Sequence, residues 1–309
     1  MAKRRTGRDV HGILLLNKPI GISSNGALQR VKRLFQARKA GHTGSLDKLA
    51  SGLLPICLGE ATKLSGFLLE ADKHYQASLT LGVTTTTGDA EGEILQTRPV
   101  QGIERKRIDE VIQSFIGPIQ QVPPMHSAIK YQGQALYKLA RQGKVVERQA
   151  RPVTIYALTV LEWIENRLSI AIHCSKGTYI RTLAEDMGEA LGCGAYVCAL
   201  HRVGVGEYRD MFDLEMLEHH AELGLEALDN LLMPMHTALT HWPTVNLTAD
   251  LAYYVRQGQA IQVPNAPTSG LVKLFADNVP NINAESNHFM GIGEVLDDGR
   301  IAPRRLINF

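Results

Sequence analysis

In this chain of 309 residues, the side chains best placed to do chemistry lie in one glycine-flanked run, Gly41-His42-Thr43-Gly44-Ser45-Leu46-Asp47. Glycines adopt backbone conformations closed to other residues and let a loop approach a ligand closely. The run presents a single carboxylate, Asp47. An aspartate with its ordinary pKa of about 4 is ionised at neutral pH and acts as a nucleophile without a general base. Its natural target is an electrophilic carbon such as a sugar anomeric centre. The same carboxylate could instead cap the helical turn that follows it, and spacing alone leaves both readings open.

Other common chemistries lack their residues. The sequence holds no GxxxxGK[ST] phosphate loop, no GxSxG nucleophile turn and no HExxH pair. Gly204-Val205-Gly206 is only a fragment of a dinucleotide fingerprint, and His219-His220 reads as a solvent-facing pair in a polar helix. Cys57, Cys174, Cys193 and Cys198 form no CxxC pair and no disulfide-like framework, so they read as small buried residues.

The elements that must position Asp47 follow from periodicity. Gly12 to Leu16 reads as a short buried strand, stopped by Lys18-Pro19 and Gly21. Ser23 or Ser24 caps a helix with Leu28, Val31, Leu34 and Phe35 on one face and Arg30, Lys32 and Arg33 toward the other. After the glycine-rich run come a small-residue segment through Pro55 to Gly59 and an apolar helix-like stretch from Lys63 to Leu69. A strand is expected over Gln76 to Val83, and a helix over Ile103 to Ile116 ended by Gly117-Pro118. Further strands are expected over Thr154 to Ile164 and Leu168 to Cys174, then a helix from about Thr182 to Leu191 stopped by Gly192. Strands and helices do not alternate regularly, so the expected class is α+β. A mixed or antiparallel sheet carries the helices, and a small β-rich module follows a change of texture around Pro243 to Thr248.

Hydrophobic residues make up 44% of the chain and charged ones 21%, which suits a folded globular protein. The net charge of +2 says little, but its distribution says more. Between Met1 and Gly41 only Asp9 opposes a series of lysines and arginines, including Lys3, Arg4, Arg5 and Arg8. Such a segment attracts polyanions or serves as a solvated basic tail, and composition leaves both open. From Pro123 to Pro152 the chain is again basic, with Lys130, Lys138, Arg141, Lys144, Arg148 and Arg151 interleaved with Tyr131 and Tyr137. No stretch reaches the roughly 18 to 20 apolar residues of a membrane span, and the early apolar run is too short for a signal peptide, so a cytoplasmic protein is expected.

The Gly41–Asp47 run is followed by Ala50, Gly52, Leu53-Leu54-Pro55 and Gly59-Glu60-Ala61-Thr62-Lys63. Lys18-Pro19, Ser23-Ser24, Lys73, Tyr75, Pro123-Pro124 and Cys174-Ser175-Lys176-Gly177-Thr178-Tyr179-Ile180-Arg181 stand in order around it. In this pattern the chain resembles the TruB-type pseudouridine synthases over nearly its whole length. Gly291-Ile292-Gly293-Glu294 with Ala302-Pro303-Arg304-Arg305-Leu306 resembles that family's PUA module.

The resemblance implies a basic arm over residues 1–11, a catalytic domain over 12–245 with a thumb at 123–152, and a PUA-like domain over 246–309. It implies isomerisation of the T-loop uridine at position 55 of tRNA by a stand-alone monomer without cofactor or metal. Asp47 would be the catalytic aspartate and Arg181 its charge-assisted partner. Tyr75, Tyr179 and Leu200 would line the pocket of a flipped uracil, and His42 would fill the space the base leaves. Lys18 and Pro19 would support the loop. Lys130, Arg141 and Arg151 would contact RNA, with the C-terminal module on the acceptor stem. Asn17, Ser45, Lys48 and His126 depart from the family pattern, which has aspartate, alanine, proline and tyrosine there. Two rivals remain at this stage, a non-catalytic tRNA-folding chaperone and a guide-RNA-dependent synthase.

Overall fold

A computed structural model of the chain describes residues 7–276 and 288–308; Lys3, Arg4 and Arg5 of the basic arm lie outside them. Nine strands form the main sheet. From one edge the order is Phe212–Asp213, Gly12–Lys18, Ser51–Leu58, Ala195–Val205, Lys73–Leu81, Arg167–Cys174, Arg151–Ile164 and Gly117–Gln121, with Ala40–His42 added beside Ser51–Leu58. Neighbours run antiparallel except at two places, where Gly12–Lys18 lies parallel to Phe212–Asp213 and Ser51–Leu58 lies parallel to Ala195–Val205. The fold is therefore α+β on a mixed sheet.

Side chains alternate across a strand, so one strand feeds two cores. Leu14 and Leu16 of the first strand join the cluster under the helices Ser24–Leu34, Arg105–Ser114 and Ile180–Leu191. Ile13 and Leu15 point the other way, into a cluster with Leu53, Leu64 and Leu68. Ser23 caps the first of these helices by accepting from the Gly26 amide at 3.0 Å, and Ala27, Leu28 and Val31 form its buried face. Arg30 and Arg33 are exposed, as the pattern predicts, and Arg30 pairs with Glu218 at 2.8 Å. Ile180–Leu191 ends at Gly192, whose φ of 85° closes the last turn without a Cβ penalty.

Of the main-sheet strands that escape the sequence reading, two are long and central. Ser51–Leu58 falls in what the sequence marks only as a small-residue segment through Pro55 to Gly59, yet it is a strand and almost all of it is buried. Ala195–Val205 runs through the middle of the sheet with irregularities at Val197/Ala199 and Arg202/Gly204, which break its alternation. Where these two strands meet, Gly52 has φ of 103°, and a Cβ there would lie 2.3 Å from the Arg202 carbonyl oxygen. Gly52→Ala is expected to destabilise by well over about 1 kcal/mol, from the strained φ before the clash is added. A lower urea midpoint at unchanged m-value is the readout, and an unshifted midpoint would refute the close approach.

A second sheet, of four strands, contains Thr244–Leu247, Gly270–Ala276, His288–Val295 and Ile301–Leu306. With the helix Ala249–Arg256 it closes a separate core around Val245, Leu247, Val255, Val272 and Leu274. No helix among the described residues is long and apolar enough to cross a membrane.

Candidate active site

The loop bearing Asp47 is tied down on both sides. The Thr43 amide donates to the Pro55 carbonyl at 3.1 Å. Ser24 Oγ donates to the Leu46 carbonyl at 3.0 Å and accepts from the Leu46 amide at 2.7 Å. Beyond the aspartate, the Gly21 amide donates to the Lys48 carbonyl at 2.8 Å. Lys18, fully buried, donates from Nζ to the carbonyls of Pro19 and Ile22, each at 2.9 Å. The turn from Lys18 to Gly21 is thus set internally and then braces the loop. Pro19 contributes through its backbone, and its ring is exposed.

Asp47 opens onto a cleft of about 510 Å³ that His42, Tyr75, His126, Tyr179, Arg181, Leu200 and Arg202 also line. Arg181 Nε lies 3.1 Å from Asp47 Oδ2 in an ion pair, and the arginine side chain is 6% exposed while that of the aspartate is 45% exposed. The terminal nitrogens of the arginine donate to backbone carbonyls. Nη1 reaches the Thr87 carbonyl at 3.1 Å and Nη2 the His126 carbonyl at 2.8 Å. Asp89 Oδ2 lies 3.5 Å from Nη1 and is itself buried. One arginine therefore serves two carboxylates, one facing the cleft and one behind it.

Burial raises the pKa of Asp47, Arg181 pulls it back down, and Asp89 raises it again. Tyr75 is 9% exposed, and its phenol pKa is raised by burial. Tyr179 precedes the Ile180–Leu191 helix and is held by Gln121, whose side chain accepts from the Tyr179 amide at 3.0 Å and donates to its carbonyl at 3.3 Å. Burial and then Arg202 lower the pKa of His42, which favours its neutral form, and its Nδ1 is buried without a hydrogen-bond partner among the described residues.

Asp89, Gln121 and Arg202 are site residues that sequence reasoning missed. Arg202, 1% exposed, donates from Nε to the Leu53 carbonyl at 2.7 Å and from Nη2 to the Gly44 carbonyl at 3.2 Å. It follows Leu200 by two residues, so a strand reading of that segment would have put both on one face. Asp89 gives no such signal, because its loop is hung on the central strand by bonds between Gly88, Ala90 and Val197. Lys73 lines the same cleft and caps the preceding helix through the carbonyls of Leu69 at 2.7 Å and Ala71 at 2.5 Å.

Burial pushes the pKa of Lys18 and of Lys73 down to about 8 from 10.5. Between those values the unfolded chain binds more protons than the folded one, so their contribution to stability rises with pH across that window. Replacing both lysines by methionine should flatten the rise in urea midpoint between pH 8 and 10.5. An identical slope in the double variant would refute the linkage.

The basic segment is only partly gathered. Lys130, Tyr131, Arg148 and Arg151 line a concavity of about 360 Å³, whereas Arg141 stands outside it, 5.6 Å from the centre of the Tyr137 ring. Of the four departures, Ser45 and Lys48 are exposed beside Asp47, and Asn17 donates to Asp213 at 2.7 Å. His126 faces the cleft and gives its carbonyl to Arg181. Among the described residues no cluster of three or more His, Cys, Asp or Glu is arranged to hold a metal ion.

The site is a carboxylate paired with a buried arginine in a cleft walled by tyrosines on a mixed sheet, and comparison with known proteins identifies the class as the pseudouridine synthases. Residues 32–180 match the N-terminal domain of the TruB family pseudouridylate synthases. Residues 181–240 match the tRNA pseudouridylate synthase B C-terminal domain, and 243–307 the C-terminal part of pseudouridine synthase II TruB. The chain belongs to the TruB family. A Nitrosococcus oceani protein named tRNA pseudouridine synthase B is 61% identical over 307 residues, covering 99% of this chain and 97% of that protein. A Coxiella burnetii protein of the same name is 54% identical, covering 97% and 96%. A chain in the solved Cbf5-Nop10-Gar1 complex superposes with a TM-score of 0.68 at 26% identity, covering 92% of this chain and 78% of that one.

Proposed function

We propose that this pseudouridine synthase isomerises the T-loop uridine at position 55 of tRNA to pseudouridine, alone, as a monomer and without a guide RNA. The observation that carries the reading is the Asp47 carboxylate held by Arg181 at the floor of a cleft walled by Tyr75 and Tyr179. Its volume of about 510 Å³ suits a single nucleoside. In the reaction the bond from uracil N1 to the ribose C1′ breaks, the base turns, and C5 joins C1′. The hydrogen on C5 leaves as a proton and N1 takes one up, so the product is an isomer of the substrate. Nothing is oxidised and no water is consumed.

Asp47 acts on the ribose, either adding to C1′ or taking and returning the C2′ proton. Arg181 orients it and stabilises its charge. Extruding a stacked base costs a few kcal/mol, which contact with Tyr75, Tyr179 and Leu200 offsets. Neutral His42 occupies the vacated space. The cleft excludes water that would otherwise trap the separated base and sugar. Residues 12–245 serve as the catalytic domain, with 123–152 closing over the T loop through Lys130, Arg141 and Arg151. Residues 246–309 form a PUA-like domain on the acceptor stem, where Tyr253, Tyr254 and Arg256 are exposed on one helix.

A T-arm stem-loop carrying tritium at uracil C5 tests this directly. Protein alone should release tritium to solvent and leave pseudouridine at the single T-loop position. Tight binding without release would instead favour an RNA-folding role.

A further inference from the structure

The run Gly59-Glu60-Ala61-Thr62-Lys63 carries no part of the site above, although it directly continues the Ser51–Leu58 strand. It forms a short 3-10 turn over Gly59–Lys63 on which both ends of the described chain converge. Glu60 Oε2 accepts from the Asn308 amide at 2.9 Å and pairs with Lys63 Nζ at 2.5 Å. Lys63 Nζ also donates to the Leu306 carbonyl at 2.7 Å, and the Lys63 carbonyl accepts from Arg305. The Glu60 amide donates to His11 Nδ1 at 3.0 Å, at the start of the first strand. Gly59 must be glycine for this approach, since a Cβ would lie 2.2 Å from His11 Nδ1 and 2.3 Å from the Val10 carbonyl oxygen.

Beneath the turn, Ala61 and Leu64 enter an apolar cluster with Phe289, Ile292 and Ile307 of the C-terminal sheet. An apolar contact alone is non-directional. The polar bonds add direction, because the acceptors and donors on residues 305, 306 and 308 are met at fixed positions by one turn. Glu60 and Lys63 are 18% and 27% exposed, so their pairing is shielded well beyond that of a rim ion pair. The turn is also only a strand's length from Asp47. The orientation of the C-terminal sheet and that of the catalytic loop are thereby fixed to the same strand.

We infer that the Glu60–Lys63 pair is a clasp that sets the angle between the C-terminal sheet and the cleft, and so selects RNAs that present the target uridine and a second duplex segment at one fixed separation. The inference rests on the proposed tRNA reaction. Two linked binding surfaces reinforce each other only when their geometry fits both contacts at once. Loosening the clasp leaves each surface intact, so the penalty falls on RNAs long enough to touch both. A short stem-loop engages the cleft alone and is indifferent.

Steady-state kinetics on full-length tRNA and on its isolated T-arm stem-loop test this, using Lys63→Ala, Glu60→Ala and Glu60→Gln. The alanine variants should raise KM for tRNA about tenfold, with kcat and all stem-loop constants unchanged. Glu60→Gln keeps an acceptor for the Asn308 amide and should recover part of the loss; no recovery overturns the hydrogen-bonded clasp. Hydrogen exchange should speed up over 289–308 in the alanine variants while 41–58 stays protected. Lost protection at 41–58, equal losses on both RNAs, or no loss on either overturns the inference. A wild-type chain inactive on both RNAs overturns the functional reading and the clasp with it, whereas an active wild type isolates the clasp.

Discussion

Asp47→Asn is expected to lower single-turnover pseudouridine formation by roughly four orders of magnitude while RNA affinity stays within about twofold of wild type. The substitution keeps the side chain's shape and removes only its charge and basicity. An amide neither adds to C1′ nor holds a proton from C2′, so both routes at the ribose close together. Binding is spared because the walls of the cleft, Tyr75, Tyr179 and Leu200, do not depend on that charge for their placement. Stability should hardly change, since the carboxylate is 45% exposed and its loss leaves no buried anion behind. Tritium release and filter binding on one preparation separate the two effects. Appreciable turnover by the Asn variant would remove Asp47 from the chemistry.

Opposite displacements of the acid limb of the kcat profile are expected from Arg181→Met and Asp89→Asn. Arg181 lowers the Asp47 pKa and Asp89 raises it. Without the arginine, burial is opposed only by the weaker pull of Lys18 and His126, the Asp47 pKa climbs, and less carboxylate is ionised at a given acidic pH. The limb then moves to higher pH. Without the Asp89 charge the Asp47 pKa falls and the limb moves to lower pH. Loss of one preorganised donor suggests a fall of about 10²- to 10³-fold in kcat for Arg181→Met, and a smaller one for Asp89→Asn. Arg181→Met also strands Asp89, 4% exposed, without its cation, which costs stability on the order of 3–5 kcal/mol. Rates should therefore be read well below the melting temperature of each variant. Limbs moving in the same direction would mean that the two carboxylates do not communicate through the arginine.

What could be read before the fold was known depended on how local its cause is. The helices Ser24–Leu34, Arg105–Ser114 and Ile180–Leu191 announce themselves by apolar spacing and by terminators such as Gly192, and their ends fall within a few residues of expectation. Arg151–Ile164 and Arg167–Cys174 are likewise legible as strands, the second from the alternation of Leu168, Ile170, Ile172 and Cys174. Ser51–Leu58 is not, because a strand buried on both faces loses alternation and Pro55 argues against it. At the site, Asp47 is marked by its glycines and by family resemblance. Ser24 was readable as a helix cap, a task that falls to Ser23, while Ser24 pins Leu46. Gln121 and Asp89 owe their places to partners 58 and 92 residues away along the chain, Tyr179 and Arg181, and no local pattern carries such information.

The parallel pairing of Ser51 and Gly52 with His201 and Arg202 joins strands separated by 150 residues, as the Ser51–His201 hydrogen bond records. A nascent chain that has reached Leu191 already contains the whole Gly41–Asp47 loop and the helix bearing Arg181. It still lacks the strand that supplies Arg202 and from which the Asp89 loop hangs. Such long-range pairing forms slowly and last. Until residues up to Val205 have been made and paired, the nascent polypeptide therefore cannot complete the surroundings of Asp47, although the loop itself was synthesised some 150 residues earlier.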